Sequence, residues 1–351
     1  MPADVRTPRR ATRLRLYAPF VLLGLLAVCW SVAWFVVRAR TVAGMDDWVA
    51  AEAAAGRRWT CSDRNAGGYP FRVEVSCRDL SFASADATAS VGPVLAVAQI
   101  YRLGHIIVEA QGPLRVVTGA ASAEAGWRLL QASVVFASGS FQRLALVADD
   151  VRLQASERSA GSYTASAKRF EAHARPDPAD ATVADLSFTT AAATLPGLDA
   201  LIGGTEPADI DLVLRVGRAF ALTSRPAVSE LERWRIGGGE VEVARARLAK
   251  GPRRIEAQGR LSLDDSHRPR GEITGQVAGI EGLLGQFVGD KAGLAGNLLG
   301  ALLGGGRQAE IRQPSDPNAP RMKAIPTLRL ENGRLAVGPL QLPNLRIPPL
   351  Y

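Results

Sequence analysis

Three histidines, three cysteines and no recognisable catalytic motif leave this 351-residue chain with little reactive chemistry. His105, His173 and His267 are far apart; the first lies in an apolar run and the other two in turn-like stretches. A nucleophile needs a positioned base beside it, and none of the three histidines has such a neighbour in sequence. The chain has no G-x-S-x-G elbow, P-loop, H-E-x-x-H pair or dinucleotide fingerprint. Asp149-Asp150 and Asp264-Asp265 are acidic pairs, but adjacent strand residues point to opposite faces, so they read as turn residues and solvated strand ends. The glycines at 304–306 follow an apolar helical pattern rather than preceding one, the wrong side for phosphate. The expectation is a protein that is not an enzyme, with no cofactor and no metal.

A nucleic-acid partner is also disfavoured. The formal charge is +8, but residues 1–40 hold seven arginines and one aspartate. The rest of the chain is therefore close to neutral, and the basic excess is a topology signal rather than a binding face.

What the chain does have is an uncharged apolar run at 16–37, LYAPFVLLGLLAVCWSVAWFVV. At about 1.5 Å per residue such a helix crosses a hydrocarbon layer of about 30 Å. Tyr17, Trp30 and Trp34 place aromatic rings towards its ends, and Pro19 is expected in its first turn. Arginines are concentrated before it, at 6, 9, 10, 13 and 15, so the basic tail of residues 1–15 is expected in the cytoplasm and the bulk beyond the membrane. A cleaved signal peptide has a shorter apolar core, of about 7–15 residues, so an uncleaved anchor is expected.

After the anchor, residues 38–57 read as an Ala-rich juxtamembrane helix ending at Gly56. The domain at 58–351 is dominated by strands. Phe71, Val73, Val75 and Cys77 alternate with Arg72, Glu74, Ser76 and Arg78, as one half-buried strand requires. Ile255 to Leu263 and Ile273 to Val277 alternate in the same way, and Asn332-Gly333 between alternating runs predicts a hairpin. The polar stretch at 172–181 is expected to separate two halves. Short helices are expected near 195–202 and 227–234.

Cys61 and Cys77 are 16 positions apart and suit a disulfide on the export side, worth about 3 kcal/mol by chain entropy. One segment breaks the strand pattern. At 282–303, Leu283, Leu284, Phe287, Val288, Leu294, Leu298, Leu299 and Leu302 recur at helical spacing among six glycines. They read as a helix packed on the sheet, or as a lid over an apolar groove.

These residues carry a resemblance. A single N-terminal span, Gly68-Tyr69-Pro70-Phe71-Arg72 flanked by cysteines, GRLSLDD at 259–265 and a terminal LENGRLAVGPLQL ending in PPLY resemble bacterial domain-of-unknown-function family 2125. Its motifs are strand-and-turn signatures and imply no activity. At the level of architecture alone, the pattern is similar to AsmA-like envelope proteins, whose elongated sheets hold lipid. The expected fold is mainly β: a transmembrane helix followed by an elongated, curved antiparallel sheet with short packing helices. Two functions are carried forward, both for a single-pass inner-membrane protein with its bulk in the periplasm. The first is to hold a lipid or other apolar ligand in a groove. The second is a solid scaffold that binds an envelope protein partner. In both, Tyr69 and Phe71 are expected to anchor a core.

Overall fold

A single helix leads into a single sheet. The computed structural model describes residues 11–158, 161–219, 227–279 and 322–351. Helix α1 (Ala11–Ala54) is continuous through both expected helices, with no break between the apolar run and the Ala-rich stretch. It begins earlier than expected, so Pro19 lies inside it rather than in its first turn. Its first half is long and apolar enough to cross a membrane, and its side chains there are exposed, from Tyr17 and Phe20 to Val28.

The strands that follow are β1 (Arg58–Ser62), β2 (Asn65–Gly67), β3 (Arg72–Cys77), β4 (Asp79–Ala83), β5 (Ala87–Val91), β6 (Val94–Gln99), β7 (Arg102–Ala110), β8 (Leu114–Thr118), β9 (Ala121–Gly126) and β10 (Leu129–Ala137). They pair as halves of five bent staves. The pairs are β1 with β4 and β2 with β3, then β3 with β6 and β4 with β5. Next come β6 with β7, β5 with β8, β7 with β10 and β8 with β9. Both halves of the fifth stave, β9 and β10, lie against one long strand, β11 (Ser140–Glu157).

From β11 the sheet continues in undivided strands through β12 (Gly161–Pro176), β13 (Ala184–Ala193), β14 (Ala208–Val216), β15 (Val241–Lys250), β16 (Arg253–Leu263), β17 (Pro269–Ala278), β18 (Lys323–Glu331), β19 (Arg334–Val337) and β20 (Leu340–Arg346). Every pairing is antiparallel, and each stave lies beside its neighbours in the chain. Two short helices, α2 (Pro196–Ile202) and α3 (Ala227–Ile236), fill the connections on either side of β14. The stretch at 172–181 spans the end of β12 and its turn into β13, and the ladder runs on across it. Asn332 and Gly333, both at positive φ, form the turn between β18 and β19.

The bends line up as a crease. Arg78 pairs with Asp63 at 2.7 Å. The Gln111 amide donates to the Pro93 carbonyl at 2.8 Å, and the Trp127 indole donates to the Ala110 carbonyl at 2.8 Å. The line ends on β11, where Arg128 reaches Asp150 at 2.7 Å and Asp149 at 3.0 Å, and Arg169 reaches Asp149 at 3.1 Å. Asp149 and Asp150 are therefore mid-strand, not a strand end. Apolar residues on either side of them, Leu144 and Leu146 then Val151 and Leu153, are one position out of phase. That phase change reads in sequence as two strands; the positive φ of Asp150 absorbs it within one.

The two faces differ in kind. Directly paired residues share a face. One face carries Leu146, Ala172, Phe188, Leu212, Ala246 and Ala257 in consecutive register. The other carries Arg175, Asp185, Arg215, Glu242, Arg260, Glu272 and Arg329, alternating in sign across seven strands. Within this row no like charges are opposite one another, and each cross-strand pair contributes about 0.2–1 kcal/mol at most.

Candidate functional site

The junction between helix and sheet is built from backbone carbonyls and aromatic donors. The Trp30 indole donates to the Pro70 carbonyl and the Trp34 indole to the Arg72 carbonyl, both at 2.8 Å. The Ser31 hydroxyl lies 2.8 Å from the Tyr69 hydroxyl, and Arg38 Nε donates to the Ala66 carbonyl at 2.9 Å. Tyr69 stands edge-on to Trp34 at 5.3 Å, and Phe71 lies 6.1 Å from Trp30. Gly68 makes the loop close: at φ +97 its Cα faces the Arg72 carbonyl, and a Cβ there would come within 2.7 Å of that oxygen.

The five residues of this motif are thus brought together, but not as core. Tyr69 is 55% and Phe71 63% exposed, while Trp34 behind them is 4% exposed. The helix supplies the buried ring, because only one side of the loop is covered.

Lower on the same helix the chain makes an apolar cleft. Trp48 packs on Trp59 at 5.6 Å, and Trp59 on Phe82 at 4.9 Å. Trp59, Leu80, Phe82, Ala89, Val91 and Leu114, from β1, β4, β5 and β8, line a cavity of about 330 Å³. That volume is at the lower end of ligand-sized clefts. Cross-strand pairing puts these residues on one face: Trp59 opposite Phe82, Phe82 opposite Ala89, Leu80 opposite Val91. Cys61 and Cys77 are bonded, with Cα atoms 5.2 Å apart, and close the crease beside the cleft. Trp48, Trp59 and Phe82 carry no sequence signal that singles them out; the period-two pattern marks Phe82 only as one more inward residue.

At the far end, the C-terminal residue closes a polar cluster. Glu232 of α3 accepts two bonds from Arg235, at 2.8 and 2.9 Å, and one from the Tyr351 hydroxyl at 2.8 Å. His267 lies 3.2 Å from the same carboxylate, and Arg235 also reaches Asp265 at 2.9 Å. Arg235, then Tyr351, hold the Glu232 carboxyl down to about 2. Burial, then Glu232, push the Tyr351 hydroxyl up. GRLSLDD and the terminal tyrosine, read separately in sequence, therefore meet through α3.

Of the other histidines, His105 Nε2 lies 2.9 Å from the Ser133 hydroxyl across β7 and β10. His173 is in β12, not in a turn, 3.6 Å from Glu171. Among the described residues no carboxylate is bonded to His105, so its contact with Ser133 is a diagonal cross-strand pair without the third group of a triad. No cluster of metal-ligating side chains forms among the described residues. Leu283, Leu284, Phe287, Val288, Leu294, Leu298, Leu299 and Leu302 lie outside the described residues.

A family profile described as "Uncharacterized protein conserved in bacteria (DUF2125)" matches residues 34–346. The chain belongs to the DUF2125 family. The DUF2125 match opens at Trp34, the helix residue buried against the Gly68–Arg72 loop, and runs to the end of β20. It takes in the Gly68–Arg72 loop with Trp34, the cleft and Glu232, but not Trp30 and Ser31. No curated protein and no solved structure matches the chain.

Proposed function

We propose that this DUF2125 protein is a non-enzymatic, single-pass protein of the bacterial inner membrane, with its N terminus in the cytoplasm and its sheet in the periplasm. There the apolar face of the sheet holds the acyl chain of a lipid. The observation that carries this reading is the openness of that face. Leu144, Leu146, Phe170, Phe188, Leu212, Leu214, Ile255 and Ile273 all face one way from the middle of the sheet, and each remains part-exposed. Among the described residues only ten apolar side chains are buried. A sheet packed against a second layer buries its inner face; among the described residues this face offers unfilled apolar surface, which lowers its free energy by taking up hydrocarbon at about 25 cal/mol per Å².

The cleft at Trp59 and Phe82 gives the first place to look. A benzophenone-bearing residue at Ala89 is expected to crosslink phospholipid in cells, seen as a mass adduct on the purified full chain. The same group at Arg247 on the charged face is expected to yield none. Crosslinking at Leu25 in the helix but not at Ala89 sinks lipid holding and leaves an anchored scaffold for an envelope protein partner. A reporter active only after export, fused at Tyr351, tests the topology; a silent fusion reverses it.

A further inference from the structure

We propose that the edge of the sheet formed by Tyr69, Phe71 and Tyr101 is sunk into the outer leaflet of the same bilayer that α1 crosses. The inference rests on reading α1 as an anchor, and its argument is one of length. Counting from Leu16, where the arginines end, the helix reaches Trp30 after about 21 Å. A hydrocarbon layer of about 30 Å is not yet crossed at that point. Trp30 is nevertheless bonded to Pro70, and the uncharged run continues for about 10 Å more, to Val37. The loop that grips Trp30, Ser31 and Trp34 is therefore carried to a depth where the helix is still in lipid.

Four carbonyls of the loop are satisfied in the way that depth requires. Backbone polar groups cannot be left open in hydrocarbon, since water is not there to satisfy them. The Pro70 carbonyl takes the Trp30 indole and the Arg72 carbonyl the Trp34 indole. The Phe71 carbonyl takes the Ile100 amide at 3.0 Å, and the Gly68 carbonyl takes the Arg72 amide at 3.1 Å. Pro70 has no N–H to satisfy. Residues 66–71 carry no charge, and the side chains turned outward are Tyr69, Phe71 and, through the bond to Ile100, Tyr101 at 69% exposure. Aromatic rings with a polar tip favour the headgroup boundary. Arg72 and Arg102 flank them; Arg72 is paired with Glu74 at 2.6 Å, and both have stems long enough to carry the guanidinium outward to headgroups. An exposed aromatic edge on a water-soluble sheet has no comparable explanation, whereas here it starts the apolar face of the sheet inside the lipid it would receive.

Spin labels read depth directly. The full chain is reconstituted in vesicles of phosphatidylcholine and phosphatidylglycerol, and collision with oxygen is compared with collision with a water-soluble nickel chelate. Three samples are used: the native Cys29, and Tyr101→Cys and Asp86→Cys in a Cys29→Ser background. Cys61 and Cys77 are bonded and do not label. Labels at Cys29 and at Tyr101 should both favour oxygen, several-fold over Asp86 at the opposite edge. Phe71→Cys should give the same result as Tyr101→Cys. A label at Cys29 that favours oxygen, with Tyr101 and Phe71 labels matching Asp86, overturns the insertion while leaving the anchor standing. A Cys29 label that favours the nickel chelate overturns the anchor and the insertion together.

Discussion

The Trp34 indole nitrogen and the Arg72 carbonyl, 38 positions apart in sequence, are joined at 2.8 Å, and this bond couples the helix to the start of β3. Among the described side chains of α1, Trp34 is the one that is buried, at 4% exposure.

Replacing it separates the bond from the ring. Trp34→Phe should cost about 1 kcal/mol, the net value of a hydrogen bond with its acceptor left unpaired. Trp34→Ala should cost about 3 kcal/mol or more, because the ring no longer fills the space against Tyr69. Chemical unfolding in detergent micelles, with proteolysis of the loop at 66–72 as a local readout, measures both. Equal effects from the two variants would mean that packing contributes nothing beyond the bond.

The disulfide predicts a redox dependence. Cys61 and Cys77 enclose a short loop, and the bond should be worth about 3 kcal/mol. The Cys61→Ser, Cys77→Ser double variant should unfold at clearly lower denaturant than the oxidised protein and should coincide with the reduced wild type. Identical curves for oxidised and reduced protein would remove the bond from the stability of the crease.

Acid should release the C-terminal residue. The Glu232 carboxyl titrates near 4.5 when unfolded and is held at about 2 in the fold. Its contribution to stability is therefore full above about pH 4.5 and is lost as the pH falls from there towards 2. The Leu350 amide, bonded to the His267 carbonyl at 3.0 Å, reports the docking. Its hydrogen-exchange protection should fall over that window in the wild type. In Glu232→Gln it should be weak already at pH 7 and flat through the window.

A buried charge gives the sharpest stability test. Lys250 is 1% exposed; its ammonium meets Asp199 of α2 at 2.5 Å and also donates to the Glu206 carbonyl. Asp199→Ala leaves that ammonium uncompensated and should cost about 3–5 kcal/mol. Lys250→Met with Asp199→Leu removes both charges and should recover most of the loss in a thermal melt.

Much of this fold is legible from local pattern. Alternation at 71–78, 255–263 and 273–277 marks strands with one apolar face, and Asn332-Gly333 marks the tight turn between β18 and β19. The helix long and apolar enough to cross a membrane is visible because its 22 residues at 16–37 carry no charge. What local pattern does not carry is the crease. Its signal is a slip of one position in phase, at Asp149-Asp150 for example, which looks like a loop until both halves are seen paired to one neighbour. It also does not carry the junction. Tyr69 and Phe71 have core composition, and only the placement of α1 shows that one side of them is left open. The cluster around Glu232 is hidden for the same reason: its members are separated by up to 119 positions.

Because each stave is hydrogen-bonded to the stave made just before it, most pairings need no distant partner; the widest gap lies between β17 and β18, across residues 279–322. A growing polypeptide could add hairpins one by one onto the edge left by the earlier staves, with little loop-closure entropy at most steps. The same wiring makes length an adjustable property. Two adjacent staves can be inserted or deleted anywhere beyond β11 without rethreading the rest, as in repeat proteins whose units touch only their neighbours. How long the apolar track is then becomes a matter of how many hairpins the gene encodes.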